Sequence, residues 1–299
     1  MQHTPEAGIG LVVFDWAGTL VDYGSFAPVV AVQKAFDLRG IRLVAAHARE
    51  PMGRSKREHI EAVLRMPEIE LQWLKVHGRP TAQSDVDAIY RDFQIMQLAV
   101  LEGHSRLTPG ALDTLHDLRE RGVPVATTTG YFRKAADRVL AAAEAQGFVP
   151  DHAVCADDVS AGRPAPWMIY ACMEALQVFP PERVVVVGDT VADVQAARNA
   201  GCYSVAVSRT GNEVGLSERE WNALGAHEQA AHLARARATL REAGAHSVIE
   251  TLSELPAVIE RIELRSRPAG ALLHAASEAV SRFVRSHVRS PHATIGMDS

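Results

Sequence analysis

Short apolar runs recur along the chain from residue 123 onward, at 123–126, 153–155, 184–187 and 204–207, with helix-patterned stretches between them. This alternation limits the available folds more than any other feature. Three or four apolar residues bounded by turns are too short for a helix, and without polar alternation they suit strands buried on both faces. Strands alternating with helices read as βαβ units, which predicts a parallel sheet covered on both sides. One more run, Leu11-Val12-Val13-Phe14, follows Gly10 and leads directly into Asp15. With 299 residues, 47% of them hydrophobic, the chain can bury a core large enough for such a sheet.

Between this first strand and the others the period changes. Segment 26–38 carries Val29, Val30, Val32 and Phe36, segment 55–66 carries Ile60, Val63 and Leu64, and segment 84–101 carries Val86, Ile89, Tyr90, Phe93 and Val100 at helical spacings. The expected architecture is an α/β fold with a Rossmann-like parallel-sheet core, 1–23 and 103–265, and a helical cap domain, 24–102, inserted after the first strand. Thr108-Pro109 predicts an N-cap followed by proline at the first helical position of a helix that ends near Gly122. The extension 266–299 is arginine-rich, and its Leu272, Leu273, Ala276, Val280, Phe283 and Val284 mark one face of a helix pattern suited to packing on the core or to contact with another subunit.

Composition removes several classes of function. A net charge of -5, with no long basic block in the first 260 residues, argues against a nucleic-acid partner. Cys155, Cys172 and Cys202 are odd in number and far apart, so they form neither a disulfide framework nor a zinc set and read as buried thiols. Residues 1–10 lack the basic and apolar regions of a leader, and no apolar run has membrane-spanning length. The expectation is a cytoplasmic protein with no membrane contact.

The chemistry is expected at the strand ends. Ligands of open α/β sheets bind beyond the carboxyl ends of the strands, where Asp15 would stand, although an Asx turn accounts for that residue alone. A second carboxylate cluster, Gly188-Asp189-Thr190-Val191-Ala192-Asp193, closes another apolar run. Either Asp189 or Thr190 can simply cap the helix that follows, but with Asp15 the pair makes an oxygen-rich set suited to a hard divalent cation. Thr127-Thr128-Thr129-Gly130 and Gly162-Arg163-Pro164 offer hydroxyls and a guanidinium for phosphoryl oxygens. In the insertion, Ser55-x-x-Glu58 is a capping-box pattern that puts Lys56 in the first turn. The helix dipole, Arg54 and Arg57 are expected to lower its pKa there, and His59 shares its helical face as a proton shuttle.

Asp15 after its strand, Thr127-Thr128-Thr129-Gly130, Gly162-Arg163-Pro164 and the Gly188 to Asp193 cluster, in this chain order, resemble the haloacid dehalogenase superfamily, whose members mostly transfer phosphoryl groups through an aspartyl intermediate. The resemblance makes Asp15 the nucleophile, Thr129 and Arg163 the phosphoryl holders, with Thr127 and Thr128 as alternatives for the hydroxyl. It makes Asp189 a Mg²⁺ ligand and Asp193 a ligand or a partner just behind it. Ala17 departs from the superfamily's usual acid two residues after the nucleophile. Asp15-Trp16-Ala17-Gly18-Thr19, Met52-Gly53-x-x-Lys56-x-x-His59, Thr128-Thr129-Gly130-Tyr131 and Gly162-Arg163-Pro164-x-Pro166-Trp167 together resemble the phosphonoacetaldehyde hydrolase family.

That resemblance implies hydrolysis of a carbon–phosphorus bond in a small phosphonate. Lys56 would form an imine with the aldehyde and Asp15 an aspartyl phosphate. His59 and Tyr131 would assist proton transfer, while Met52, Gly53, Gly130 and Ala17 would shape the substrate wall. Ala17 would also offer its carbonyl to Mg²⁺ beside Asp15, and the protein would be a homodimer joined through the cap. Leu20, and Arg54-Ser55, depart from the family pattern at positions without a chemical role. Two readings compete: a phosphomonoesterase or phosphomutase of the same superfamily, which lacks an acid at Ala17, and a binding protein on this scaffold, which leaves Asp15, Lys56, Arg163 and Asp189 without a purpose.

Overall fold

Six strands form one parallel sheet: β1 Leu11–Phe14, β2 Val125–Thr129, β3 His152–Cys155, β4 Val184–Gly188, β5 Tyr203–Val207 and β6 Ser247–Ile249, in the spatial order β3-β2-β1-β4-β5-β6. The structure, a computed structural model, describes residues 8–266. Helices α1 Phe26–Asp37, α2 Ala45–Arg49, α3 Lys56–Leu64, α4 Pro67–His77 and α5 Gln83–Val100 all lie between β1 and β2, as the periodicity predicts for an insertion. Helices α6 Ala111–Glu120, α7 Arg133–Glu144, α8 Trp167–Ala175, α9 Val191–Asn199, α10 Glu218–Ala223, α11 Ala226–Glu242 and α12 Leu255–Ser266 complete the described part of the chain. It divides into a large unit, Ile9–Val258, and a second one, Met1–Gly8 with Ile259–Ser299, whose described part is Gly8 and the end of α12. The helix pattern expected beyond 266 lies outside the described residues.

β1 is buried along its whole length, which explains why its sequence is apolar without alternation. Leu11 and Val13 face Met168, Ile169 and Cys172 of α8 and Ala196 and Ala197 of α9. Phe14 meets Phe148 edge-on at 6.3 Å. All three cysteines are free and buried. Among the described residues, no helix is long and apolar enough to cross a membrane.

Three local expectations need correction. The second strand runs 125–129 instead of 123–126. Pro124 has no amide hydrogen for the ladder, whereas the β-branched Thr127, Thr128 and Thr129 fit a buried strand despite their hydroxyls. The helix expected after Thr108 begins at Ala111, with Gly110 at its N-cap. The Thr108 hydroxyl donates instead to the Thr19 carbonyl at 2.5 Å, and its amide donates to Leu20 at 2.8 Å. Finally, α4 and β6 were not foreseen. On α4, exposed Leu71, Leu74 and Val76 blur the stripe made by buried Ile69 and Trp73, and β6 has only three residues.

Both ends of the insertion are held together. Asp22 donates its amide to Arg106 at 3.2 Å, and Val21 bridges Leu107. The side chain of Asp22 accepts from the first turn of α1 at Ala27, 2.8 Å, and from His104 at 2.8 Å.

Candidate active site

The sheet order reverses between β1 and β4, and this is where a ligand crevice is expected in an open parallel sheet. Phe14 lies level with Val187, and the amide of Asp15 donates to the Val187 carbonyl at 2.8 Å. Asp15 and Asp189 therefore leave the sheet side by side. Thr190 caps α9, its hydroxyl accepting from the Asp193 amide at 3.2 Å and donating to Asp193 Oδ2 at 2.6 Å, which turns Asp193 back toward the strand ends. Oxygens of Asp15, Asp189 and Asp193 lie within 4.8 Å of one another, all buried.

Three buried carboxylates need positive charge. Arg163 supplies part of it: its Nη1 donates to Asp15 Oδ1 at 2.6 Å and pairs with Asp193 Oδ1 at 2.8 Å. Its Nη2 is held by the Thr128 carbonyl at 3.0 Å and hydroxyl at 2.6 Å. Burial opposes the Arg163 charge, but Asp193 and Asp15 outweigh it and hold its pKa above the ordinary value. Burial raises Asp15 to about 6 against the pull of Arg163. Asp189 is pushed well above the usual carboxylate range, first by burial and then by the two neighbouring aspartates. It has no arginine of its own, accepting from Asn212 N–H at 2.7 Å and from the Thr19 hydroxyl at 3.3 Å. A hard divalent cation fits this all-oxygen set and would lift the charge deficit at Asp189.

Lys56 approaches from the other side. Ser55 caps α3, accepting from the Glu58 amide at 3.5 Å and donating to Glu58 Oε2 at 2.8 Å, so half of the expected capping box is made as anticipated. Lys56 is buried, with Nζ 3.6 Å from Met52 Sδ and 5.6 Å from the centre of the Tyr131 ring. Its pKa falls to about 8, as expected in direction but for another reason. Desolvation is the main cause; Asp15 opposes it and Arg163 assists it. Exposed Arg54 plays no such part.

Asp15, Ala17, Met52, Gly53, Lys56, Thr129, Gly130, Tyr131 and Arg163 all line one small cavity of about 20 Å³. That is room for one or two waters, each needing about 10–15 Å³. Two glycines allow the insertion to come this close. A Cβ on Gly53, whose φ is 87°, would lie 2.9 Å from Ala192 Cβ, and one on Gly130 would lie 2.5 Å from the Arg54 carbonyl. Thr129 accepts from the Tyr131 amide at 3.2 Å, leaving its own hydroxyl hydrogen to give. Thr128 is taken by Arg163, and the buried Thr127 hydroxyl has no hydrogen-bond partner.

His59 stands apart from this group. It follows Lys56 by three residues on α3 but does not line the cavity, and its ring nitrogens make no well-formed hydrogen bond, the Ala48 backbone being their polar neighbour. Burial, reinforced by the Lys56 charge, drives its pKa well below 6.5, so the imidazole is neutral. Ser25, Pro28 and Thr190 also line the cavity and were not foreseen. Ser25 and Pro28 read in sequence as an ordinary helix start, and Thr190 as an ordinary cap.

A model of haloacid dehalogenase-like hydrolases matches residues 9–201 of the chain. The phosphonoacetaldehyde hydrolase of Nitratidesulfovibrio vulgaris is 42% identical over 260 residues, covering 87% of this chain and 93% of that protein. Its counterpart from Bacillus cytotoxicus is 41% identical over 255 residues, covering 85% and 97%. Among solved structures, a phosphonoacetaldehyde hydrolase-like protein from Oleispira antarctica superposes with a TM-score of 0.86 at 36% identity, over 87% of this chain and 95% of that one. A hydrolase from Pseudomonas syringae, at 20% identity and a TM-score of 0.63 over 85% and 99%, shares the fold.

Proposed function

Because the chain belongs to the phosphonoacetaldehyde hydrolases of the haloacid dehalogenase-like hydrolase family, we propose that it cleaves phosphonoacetaldehyde into acetaldehyde and phosphate, using Lys56 and Asp15 from opposite walls of one cavity. The observation that carries this reading is the pairing of an amine lowered to about 8 with a carboxylate nucleophile where Ala17 offers no acid. A carbon–phosphorus bond breaks heterolytically only if the carbon can dispose of its electron pair, and an iminium supplies that sink.

In this mechanism the neutral Lys56 amine adds to the aldehyde carbon and water leaves, giving the iminium. Tyr131, kept protonated by burial, and neutral His59 assist the proton transfers, His59 through its position behind Lys56. An Asp15 oxygen attacks phosphorus, and the electrons of the carbon–phosphorus bond move into the iminium to form an enamine. Arg163 and the Thr129 hydroxyl hold the phosphoryl oxygens. Protonation of the enamine and hydrolysis release acetaldehyde and regenerate Lys56, while water cleaves the aspartyl phosphate. Mg²⁺, held by Asp15, Asp189 and the Ala17 carbonyl with Asp193 behind or beside them, would neutralise charge between carboxylate and phosphonate. Met52 shapes the wall beside the amine, and Gly53 and Gly130 let the wall close.

On this reading residues 24–102 act as a cap that lifts for substrate and closes for chemistry, because the closed cavity is too small for the substrate. A cytoplasmic setting is supported by the three free thiols. A homodimer joined through the cap is supported by exposed Leu38, Leu71, Leu74 and Val76.

Incubation with phosphonoacetaldehyde and Mg²⁺, beside a simple phosphate ester, tests the activity. We expect acetaldehyde and phosphate in equal amounts, little ester cleavage, and borohydride trapping of a substrate-derived adduct on Lys56. Lys56→Arg should lose both turnover and the adduct. Ester cleavage alone would instead favour the phosphomonoesterase reading.

A further inference from the structure

Arg49, the last residue of α2, reaches from the insertion into the core loop 211–216. Its Nη1 donates to Asn212 Oδ1 at 3.1 Å and to the Gly24 carbonyl at 2.8 Å, and its Nη2 donates to the Gly215 carbonyl at 3.2 Å. The guanidinium lies 5.0 Å above the Phe26 ring. Asn212 answers from the other side: its Nδ2 donates to the Arg49 carbonyl at 3.3 Å and to Glu213, while its backbone N–H holds Asp189 Oδ2. A single residue thus grips a candidate cation ligand with its main chain and the insertion with its side chain. Gly215, at φ 64°, makes the space, since a Cβ there would lie 2.9 Å from Arg49 Cζ. Neither Arg49 nor Asn212 lines the catalytic cavity, so the chemistry above leaves both unexplained.

We propose that Arg49 and Asn212 are positioning residues that latch the insertion onto the core and couple its seating to Asp189, so that closure and cation uptake favour each other. The coupling half rests on the metal and cap roles given above. When the insertion lifts, the two core acceptors, Asn212 Oδ1 and the Gly215 carbonyl, lose the guanidinium, Asn212 loses its side-chain contacts with Arg49, and its amide holds Asp189 from a looser loop. By linkage, whatever steadies Asp189 must steady the closed insertion equally. Lysine cannot replace the arginine, because the acceptors are served from two nitrogens of a planar fork, whereas the three donors of an ammonium diverge from a single nitrogen.

The test uses the full chain with Arg49→Lys, Asn212→Ala and the double variant. Two quantities are read: the rate at which an amine-directed acylating reagent modifies Lys56, followed by peptide mass spectrometry, and the affinity for Mg²⁺ alone by calorimetry. Each single variant should expose Lys56 to labelling about tenfold faster, the scale of one lost charged hydrogen bond. Each should also bind Mg²⁺ more weakly, and the double variant should be no worse than the more affected single one, as expected for two parts of one device. Unchanged labelling, or fully additive effects, would overturn the latch, and Asn212→Ala decides the matter if Arg49→Lys does not fold. Faster labelling in a protein that binds no Mg²⁺ even unaltered would uphold the latch and overturn the metal reading with its coupling.

Discussion

Lys56 shows how far a single residue can be read from its neighbours in sequence. Its cap, its place in the first turn and the direction of its pKa are all visible in Ser55-Lys56-Arg57-Glu58. The main cause of that direction is not visible, because the burial that desolvates the amine involves Tyr131, and the charge that assists it is that of Arg163, both from distant parts of the chain. A pKa near 8 has a kinetic consequence. Only the neutral amine attacks an aldehyde, so the rate of borohydride-trappable adduct formation should rise with pH and level off above about 8. A flat profile from pH 6 to 9 would sink the assignment of Lys56 as nucleophile. Asp15, Asp189 and Arg163 were legible because each sits where a strand or a proline-bounded loop fixes the backbone. Asn212 was not, because its role comes from a main-chain amide that any residue carries.

At the level of elements, the parallel sheet was legible because uninterrupted apolar runs have no other stable use, while helices were legible where one face alone is apolar. The sequence was less informative at the two linkers of the insertion. There Thr108 ties the core to Leu20, and the His104–Asp22 pair bridges the entry and exit of the insertion. The hydrogen bond to Asp22 is what raises the His104 pKa, with burial opposing it. A histidine whose folded pKa lies above its unfolded value near 6.5 gives its full stabilisation below that value and loses it as pH rises through the folded one. His104→Gln should therefore lower the melting temperature at pH 5.5 and have little effect at pH 9. An equal loss at both pH values would show that the pair acts by packing alone. His59, with its depressed pKa, has the opposite sign: its contribution is present above 6.5 and is lost as pH falls toward the folded value.

For the whole molecule, the exposed apolar residues of the insertion set the expected assembly. Leu71 is 69% exposed and Leu74 49%, both on α4. Leu74→Glu should convert the proposed dimer into a monomer by sedimentation, leaving the fold intact by circular dichroism, whereas a monomeric unaltered protein would rule out the cap-to-cap contact. The neck of the insertion also bears on how the chain finds its fold. Val12 pairs with Val125 across the entire insertion, and such distant strand pairing ordinarily slows folding. The closures of Leu20 with Thr108 and of Asp22 with Arg106 change the tether that matters. Once the helices between them have formed and the neck has shut, β1 and β2 meet across roughly two dozen residues of effective chain, α6 among them, instead of more than a hundred. Residues added at the turn between α4 and α5 would then leave the refolding rate nearly unchanged, because doubling a loop costs only about 0.6 kcal/mol. Loosening the neck at Thr108 would slow it, and the insertion would become a kinetic burden in place of a preassembled splint.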